Sequence, residues 1–424
     1  MKTLQDWLTF IDGLHPRSMD LELGRVGMVR QRMGLNPSFP LITVAGTNGK
    51  GSTCAYLTAM LRAAGYRVGT YTSPHLVHYA ERVALQGIPV SDAQLCRSFE
   101  RVEAARHGVG LTPFEFGTLV AVDLFVDEQV DVAVLEVGLG GRLDAVNLFE
   151  PTLSVITGIA LDHEAWLGTT REAIAREKAG ILRAAVPALC GDPDPPLSLQ
   201  EVARSLAVPM WYWNKDFTVQ RDEDGRWDLV LPDGAWRNLP PPPLLGDVQY
   251  RNAALALAAL TRLPLARPLT QEAVARGLGE VSLAGRFQIL SSAPLLILDV
   301  AHNPEAAMVL ADNLAHQPCQ GETHLILGML RDKDIASVVM ALDGAAEHWY
   351  VAALGGERGA GKAEMEPFWE HRGRSPTWFE SPWLALQEAR RRAAPEDRIV
   401  VCGSFVTVGQ ILEHRDSLMS EGTA

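Results

Sequence analysis

Residues 41 to 71 dictate most of what this chain can become. Leu41 to Ala45 is a short apolar run rich in β-branched residues, and Thr43-Val44-Ala45-Gly46-Thr47-Asn48-Gly49-Lys50-Gly51-Ser52-Thr53 carries it into a glycine-rich break. Tyr56, Leu57, Met60, Leu61 and Ala64 then recur at helical spacing and stop at Gly65, and a second apolar run, Val68 to Tyr71, follows. Strand, tight loop, helix and strand in that order form a complete βαβ crossover, the unit of a parallel sheet. Two more strand candidates, Val130 to Val137 and Leu153 to Thr157, carry the alternation to about residue 185.

Glycines in such a loop let the backbone turn tightly, so that successive N–H groups and the start of the helix face an anion, and Lys50 adds a point charge. Gly46 to Ser52 therefore reads as a phosphate cradle. It departs from the G-x-x-x-x-G-K-[ST] pattern, because Gly51 separates Lys50 from Ser52. The competing reading, a glycine turn with an incidental lysine, lacks a reason for the strand before and the helix after.

Composition removes whole classes. Lys plus Arg (38) against Asp plus Glu (51) gives a net charge of −13, which disfavours nucleic acid as a partner. The five cysteines, Cys54, Cys96, Cys190, Cys319 and Cys402, are scattered, with neither zinc-site spacing nor disulfide density, and fit a reducing cytoplasm. Asp6 and Asp12 interrupt what a signal peptide would need, while Leu4, Trp7, Leu8 and Ile11 share one helical face. The longest near-apolar run, Ala253 to Leu260, is far short of the roughly 18 residues that span a bilayer, so no membrane partner is expected.

Farther along, Phe217 to Gln220 and Trp227 to Leu231 flank Asp222-Glu223-Asp224-Gly225, and Pro232-Asp233-Gly234 adds a second turn signal; residues 211–239 read as a small β-hairpin insertion. Pro240 to Pro243 is a stiff spacer before a helix around Asn252. A second alternating series supplies strands at Leu295 to Val300, His324 to Leu327, Trp349 to Ala353 and Arg398 to Cys402. The expected fold is α/β: a P-loop-containing parallel-sheet domain over 1–285, and a smaller Rossmann-like α/β domain over 286–424, with the boundary near Ala284-Gly285-Arg286.

Other candidates lie where parallel sheets bind ligands, at the C-terminal ends of strands. Glu136 closes Asp131-Val132-Ala133-Val134-Leu135-Glu136 and is a natural Mg²⁺ ligand, with the Ser52 hydroxyl as companion, or else a solvent-exposed strand end. Gly138-Leu139-Gly140-Gly141 tempts a dinucleotide reading, but Leu143 stands where the third glycine belongs. Asp162-His163 could ligate a metal or cap a turn. His75 and His78 form an i, i+3 pair with no third ligand nearby and read as packing or surface residues. Asp299, before Val300-Ala301-His302-Asn303-Pro304, could contact a ribose, order a loop or act as a cap, and Asn303 with Pro304 opens a helix. Lys178 is by default a surface lysine, and Arg390 to Arg392 a solvated helix face.

Together, Gly46 to Ser52, Thr72-Ser73-Pro74-His75-Leu76, Glu136-Val137-Gly138-Leu139-Gly140-Gly141-Arg142-Leu143-Asp144, Asp162-His163 and Asp299 to Pro304 resemble the folylpolyglutamate synthases of the Mur ligase superfamily across nearly the whole chain. Asp20-Leu21-Glu22-Leu23-Gly24-Arg25-Val26 is similar to the dihydropteroate-binding segment of the bifunctional members, which are also dihydrofolate synthases.

The resemblance implies an ATP-dependent carboxylate–amine ligase in folate biosynthesis, adding L-glutamate to dihydropteroate and to reduced folates. Thr47, Asn48, Gly49, Lys50, Gly51 and Ser52 would hold ATP, completed by Asn252, Arg286 and Asp299 across a domain cleft. Ser52, Ser73, Glu136 and His163 would surround two Mg²⁺ ions. Lys50, His163 and Lys178 would be the catalytic set, Lys178 as a carbamate. The pterin and benzoyl groups would lie against Asp20, Leu21, Glu22 and Leu23, against Thr112, Pro113, Phe114 and Glu115, and against Leu143, Asp144 and Ala145; Glu22 and Pro113 depart from the family's version of these segments. A monomer in the cytoplasm is expected.

The implied chemistry is phosphoryl transfer to a carboxylate, attack by the glutamate amine on the acyl phosphate, and closure of the two domains to exclude water. Rivals are a folylpolyglutamate synthase without the first activity, another Mur-type ligase, and a P-loop regulatory NTPase; the NAD-linked dehydrogenase fails on its third glycine.

Overall fold

The structure, a computed structural model, describes residues 2–16, 19–369 and 375–420, and the chain divides into two compact units. The first comprises Met1–His75, Tyr79–Pro243 and Gln249–Val281. Its sheet has eight strands: β1 (Leu41–Ala45), β2 (Val68–Tyr71), β3 (Val83–Leu85), β4 (Ile88–Pro89), β5 (Val132–Glu136), β6 (Leu153–Ile156), β7 (Ala188–Cys190) and β8 (Met210–Tyr212). They lie in the order β4-β3-β2-β5-β1-β6-β7-β8, parallel from β2 through β8 with β3 and β4 antiparallel at one edge. Every residue of β1, β5 and β6 is buried, as strands covered on both faces must be, which is why these segments are continuous apolar runs instead of alternating ones.

Register places the site. Val44 pairs with Glu136 on one side of β1 and Ala45 with Ile156 on the other, so the C-terminal ends of β1, β5 and β6 stand side by side. The chain leaves β1 through helix Lys50–Ala63 toward β2, while β6 lies on the opposite flank. That divergence is the switch point at which open parallel sheets bind ligands.

The expected hairpin is a three-stranded antiparallel sheet, β9 (Thr218–Arg221), β10 (Trp227–Leu231) and β11 (Gly234–Leu239). The Pro232-Asp233-Gly234 turn launches the third strand, and Trp211-Tyr212 belongs to the edge of the main sheet. Trp227, Leu229 and Leu231 form a buried face of β10, which a lone hairpin would leave uncovered.

The second unit, Leu76–His78, Leu244–Val248 and Ser282–Ala424, holds β12 (Gln288–Ser292), β13 (Leu295–Leu298), β14 (Thr323–Leu327), β15 (His348–Ala352), β16 (Thr377–Phe379) and β17 (Arg398–Cys402). Their order is β12-β13-β17-β14-β15-β16, with only β12 antiparallel. Alternate residues feed two apolar clusters, Leu325, Leu327 and Val400 in one and Ile326, Ile399 and Val401 in the other, so this sheet too is covered on both faces. Arg391 and Arg392 are exposed and share the Glu388 carboxylate, a solvated face as expected.

Among the described residues no helix is long and apolar enough to cross a membrane, and the five cysteines are unbridged. The N-terminal helix, Leu4–Asp12, starts at a capping box between Thr3 and Asp6 and buries Trp7 and Ile11. Asp6, an obstacle to a signal peptide in the sequence, is thus a helix-starting residue.

Candidate active site

The loop after β1 is built around backbone positions that exclude side chains. Gly46 has φ 154°, and a Cβ there would come within 1.8 Å of Thr157 Oγ1. Gly49, at φ 84° the residue capping helix Lys50–Ala63, would place a Cβ 2.8 Å from Asn252 Oδ1. The loop is stitched to the end of β6 from both sides. Thr157 Oγ1 donates to the Asn48 carbonyl (2.6 Å), and Thr47 N–H donates to the Gly158 carbonyl (2.6 Å). Thr47 Oγ1 both donates to the Ala160 carbonyl and accepts from its N–H, each at 3.1 Å. Thr47 therefore faces the neighbouring loop, which leaves the residues after it as the candidates to face a phosphate.

Two lysines converge on one carbonyl. Lys50 Nζ donates to Gly46 and Thr47 oxygens (3.2 Å each), and Lys178 Nζ donates to the same Gly46 oxygen at 2.8 Å. Lys178 is 3 % exposed, so the surface reading of it is wrong: helix Arg171–Lys178 ends by driving this side chain under the loop. Burial first, then the Lys50 ammonium, brings the Lys178 amine down to about 7, against the opposing pull of Asp162 and Asp144.

Glu136, 4 % exposed at the end of β5, accepts from the Ser73 N–H at 3.3 Å, so the structure brings these two expected metal ligands together. The solvent-exposed alternative for Glu136 is excluded by its burial. Ser52, 2 % exposed, lies in the first turn of the loop's helix. His163 has left-handed backbone, φ 53° and ψ 38°, a conformation uncommon for a residue with a side chain, and its N–H is held by Asp162 Oδ1 at 2.8 Å. Among the described residues no three His, Cys, Asp or Glu side chains form a ready metal cage. Hydroxyl and carboxylate donors suit a hard divalent ion that completes its shell with phosphate oxygens and water, as Mg²⁺ does, and the His163 imidazole adds a borderline nitrogen donor. His75 accepts from Arg82 Nε (2.8 Å) and packs near the Tyr79 ring, and His78 is exposed.

The glycines after β5 serve packing: a Cβ on Gly141 would lie 2.8 Å from the Glu177 carbonyl, so this segment presses on the helix that carries Lys178. Asp144, 2 % exposed, accepts from Leu139 and Val146 N–H groups at 2.9 Å each. Burial pushes its carboxyl up to about 6 despite those amides and Lys50. Leu143 and Ala145 flank it, partly and fully buried.

Two of the three segments expected to hold a pterin, 20–23 and 112–115, meet at a residue the sequence reading did not single out. Arg25 donates to Asp20 (3.0 Å), Glu22 (2.9 Å) and Glu115 (3.1 Å). Glu115, 3 % exposed, also closes a capping box with Thr112 at the start of helix Pro113–Asp127. Three carboxylates are thereby committed to one guanidinium. Leu21 and Leu23 stay partly exposed, and the Phe114 ring lies so near Gly138 that a Cβ there would come within 2.6 Å of it. The signal for Arg25 was its place after two acidic residues at i−3 and i−5; its long-range partner Glu115 left none.

In the second unit, Asp299 accepts from Phe287 and Ala301 N–H groups (2.8 Å each), ordering the backbone beside Arg286, whose guanidinium stacks 5.1 Å from the Phe405 ring centroid. Burial raises the Asp299 carboxyl, opposed by Arg286. Asn303 caps helix Pro304–His316.

Residues 44–190 match the Mur ligase middle domain and residues 285–405 the Mur ligase glutamate ligase domain. The dihydrofolate synthase/folylpolyglutamate synthase of Escherichia coli strain K12 is 43% identical, over 99% of this chain and 97% of that one. The chain belongs to this family. It is an ATP-dependent glutamate ligase. Its fold matches E. coli FolC in complex with DHPP and ADP at a TM-score of 0.93 and 42% identity, covering 99% of each chain. A bifunctional folylpolyglutamate synthase/dihydrofolate synthase with Mn, AMPPNP and L-glutamate bound matches at 0.91 and 43%, covering 97% of this chain and 98% of that one. The enzyme thus joins two family domains, and the dinucleotide reading of Gly138 to Gly141 falls away.

Proposed function

We propose that the enzyme activates the carboxylate of 7,8-dihydropteroate, and of reduced folates, with ATP and Mg²⁺, and joins it to the amine of L-glutamate, as a monomer acting on small molecules. The observation that carries this reading is the meeting of Lys50 and Lys178 on the Gly46 carbonyl, at the foot of a loop that opens a helix, whose N-terminus would face the phosphates of ATP.

A free carboxylate has no leaving group fit for amide formation. One of its oxygens attacks the γ-phosphorus, the bond to ADP breaks, and an acyl phosphate forms. The glutamate amine attacks the acyl carbon, its proton leaves, and inorganic phosphate departs. No side chain serves as nucleophile. Lys50 and the loop N–H groups from Asn48 to Ser52 stabilise charge on the transferring group, and Asn252, packed against Gly49, shapes the cradle's wall.

Ser52, Ser73, Glu136 and His163 would hold two Mg²⁺ ions, which when bound neutralise charge on the phosphates. The near-neutral Lys178 amine is able to add CO₂, losing one proton to become a carbamate, which turns a cation into an oxygen ligand. Asp20 to Leu23, Thr112 to Glu115 and Leu143 to Ala145 form the acceptor side, with Arg25 organising the first two. Arg286, with Asp299 ordering the backbone beside it, is assigned to the nucleotide.

Dihydropteroate labelled with ¹⁸O in its carboxylate tests the route. One labelled oxygen is expected in the released phosphate; unlabelled phosphate would reject the acyl phosphate.

A further inference from the structure

Between β6 and the short helix Glu164–Leu167 the chain runs through Gly158-Ile159-Ala160-Leu161-Asp162-His163 with no regular secondary structure to hold it. One residue in that run is gripped through both of its backbone polar groups. Ile159 N–H donates to Asp192 Oδ2 at 2.6 Å, and Arg171 Nε donates to the Ile159 carbonyl at 2.8 Å. The two gripping side chains are joined to each other, Arg171 Nη2 to Asp192 Oδ1 at 3.0 Å. Asp192 also accepts from Asp194 N–H (2.9 Å), and Arg171 Nη2 also donates to the Asp194 carbonyl (2.9 Å), so both are oriented by the turn after β7.

The peptides on either side of Ile159 are those that Thr47 engages, Gly158 through its carbonyl and Ala160 through both its N–H and its carbonyl. Arg171 is in addition the first residue of the helix whose last residue is Lys178. The same guanidinium therefore ties together the run that leads to His163, the helix that leads to Lys178 and, through Thr47, the phosphate loop.

The energetics favour a purpose for this arrangement. The Asp192 side chain is 3 % exposed, and a buried carboxylate is tolerated only when charge and hydrogen bonds compensate it. Here its oxygens accept from Ile159, from Asp194 and from Arg171. Ordering a run without secondary structure costs conformational entropy for each residue fixed, and His163 adds a left-handed backbone to that cost. An Arg171–Asp192 pair bonded to both the N–H and the carbonyl of Ile159 offsets it locally.

We propose that Arg171 and Asp192 are positioning residues for phosphoryl transfer: they hold the Ile159 backbone so that Thr47, His163 and Lys178 keep one mutual arrangement. Neither touches a reacting atom. The inference rests on the assignment of His163 to the metal.

The test is Mn²⁺ binding to the full-length enzyme in the presence of a non-hydrolysable ATP analogue, followed by electron paramagnetic resonance, with Arg171→Met, Arg171→Lys, Asp192→Asn and His163→Ala beside the wild type. Arg171→Met is expected to weaken Mn²⁺ binding about tenfold and to speed hydrogen exchange of residues 157–163 selectively. Asp192→Asn keeps an acceptor for Ile159 and should weaken binding about threefold; Arg171→Lys keeps the charge without the fork and should fall between the two. If Arg171→Met fails to fold, Arg171→Lys and Asp192→Asn carry the test. Unchanged Mn²⁺ binding in the Arg171 and Asp192 variants while His163→Ala weakens it would overturn the proposal alone. If His163→Ala also leaves it unchanged, the metal assignment falls and the proposal with it.

Discussion

The phosphate loop and the acceptor side differ in how much of each is contained in one stretch of chain. The loop is local: Gly46 to Ser52 are consecutive, and their roles follow from strand, turn and helix around them. The proposed acceptor side draws on residues 20–23, 112–115 and 143–145, and two of its carboxylates, Glu115 and Asp144, point inward while Glu22 is exposed. Glu115 and Asp144 are buried and bonded to backbone N–H groups, and Arg25 gathers Asp20, Glu22 and Glu115. A phosphate site needs backbone geometry and one cation, whereas a site for a flat aromatic acceptor needs shaped walls. On the proposed acceptor side the buried carboxylates would build those walls.

The comparison is tested most severely at the loop. Lys50→Ala should lower kcat at least about 100-fold, since it removes the cation assigned to the charge developing on the transferring phosphoryl group, with the circular dichroism spectrum unchanged. Full activity in that variant would remove the cradle from the account. Gly46→Ala should abolish binding of ADP in calorimetry, because its Cβ would meet Thr157 Oγ1 at 1.8 Å.

On the acceptor side, Arg25→Met should raise the KM for dihydropteroate about tenfold while the KM for ATP moves less than about twofold, since the variant leaves buried Glu115 without its cation. An equal rise in both constants would mean that Arg25 supports the whole unit and not one wall.

Lys178 gives a pH signature. Its folded value, about 7, lies below the ordinary lysine value of 10.5, so between these the unfolded chain holds a proton that the folded chain has released. Stability should therefore rise with pH from about 7 to about 10.5, and Lys178→Met should flatten that rise in denaturant titrations run without bicarbonate. The smallest effect belongs to Glu22→Gln, at an exposed ion pair, expected to change stability by less than about 0.5 kcal/mol.

Much of this was legible in the residues. The βαβ order, the loop, Glu136 at a strand end and the second sheet follow from local periodicity, which the sheets obey because they are buried on both faces. The default surface reading of Lys178 failed because nothing in Arg176-Glu177-Lys178-Ala179 distinguishes a buried lysine from a solvated one; the family resemblance pointed to it, and in the structure the distant Gly46 carbonyl holds it. Arg171 and Asp192 were passed over for the same reason, since their shared partner Ile159 is neither adjacent nor polar in its side chain. The third strand of the insertion was hidden by its composition, Gly-Ala-Trp-Arg-Asn-Leu, in which only Leu239 is buried.

The most direct measurement is ADP formation by the purified enzyme with Mg²⁺-ATP, with and without L-glutamate, comparing 7,8-dihydropteroate with tetrahydrofolate as acceptor. Glutamate-dependent turnover with both is the predicted result. ADP release that ignores glutamate, or that neither acceptor stimulates, would contradict the account.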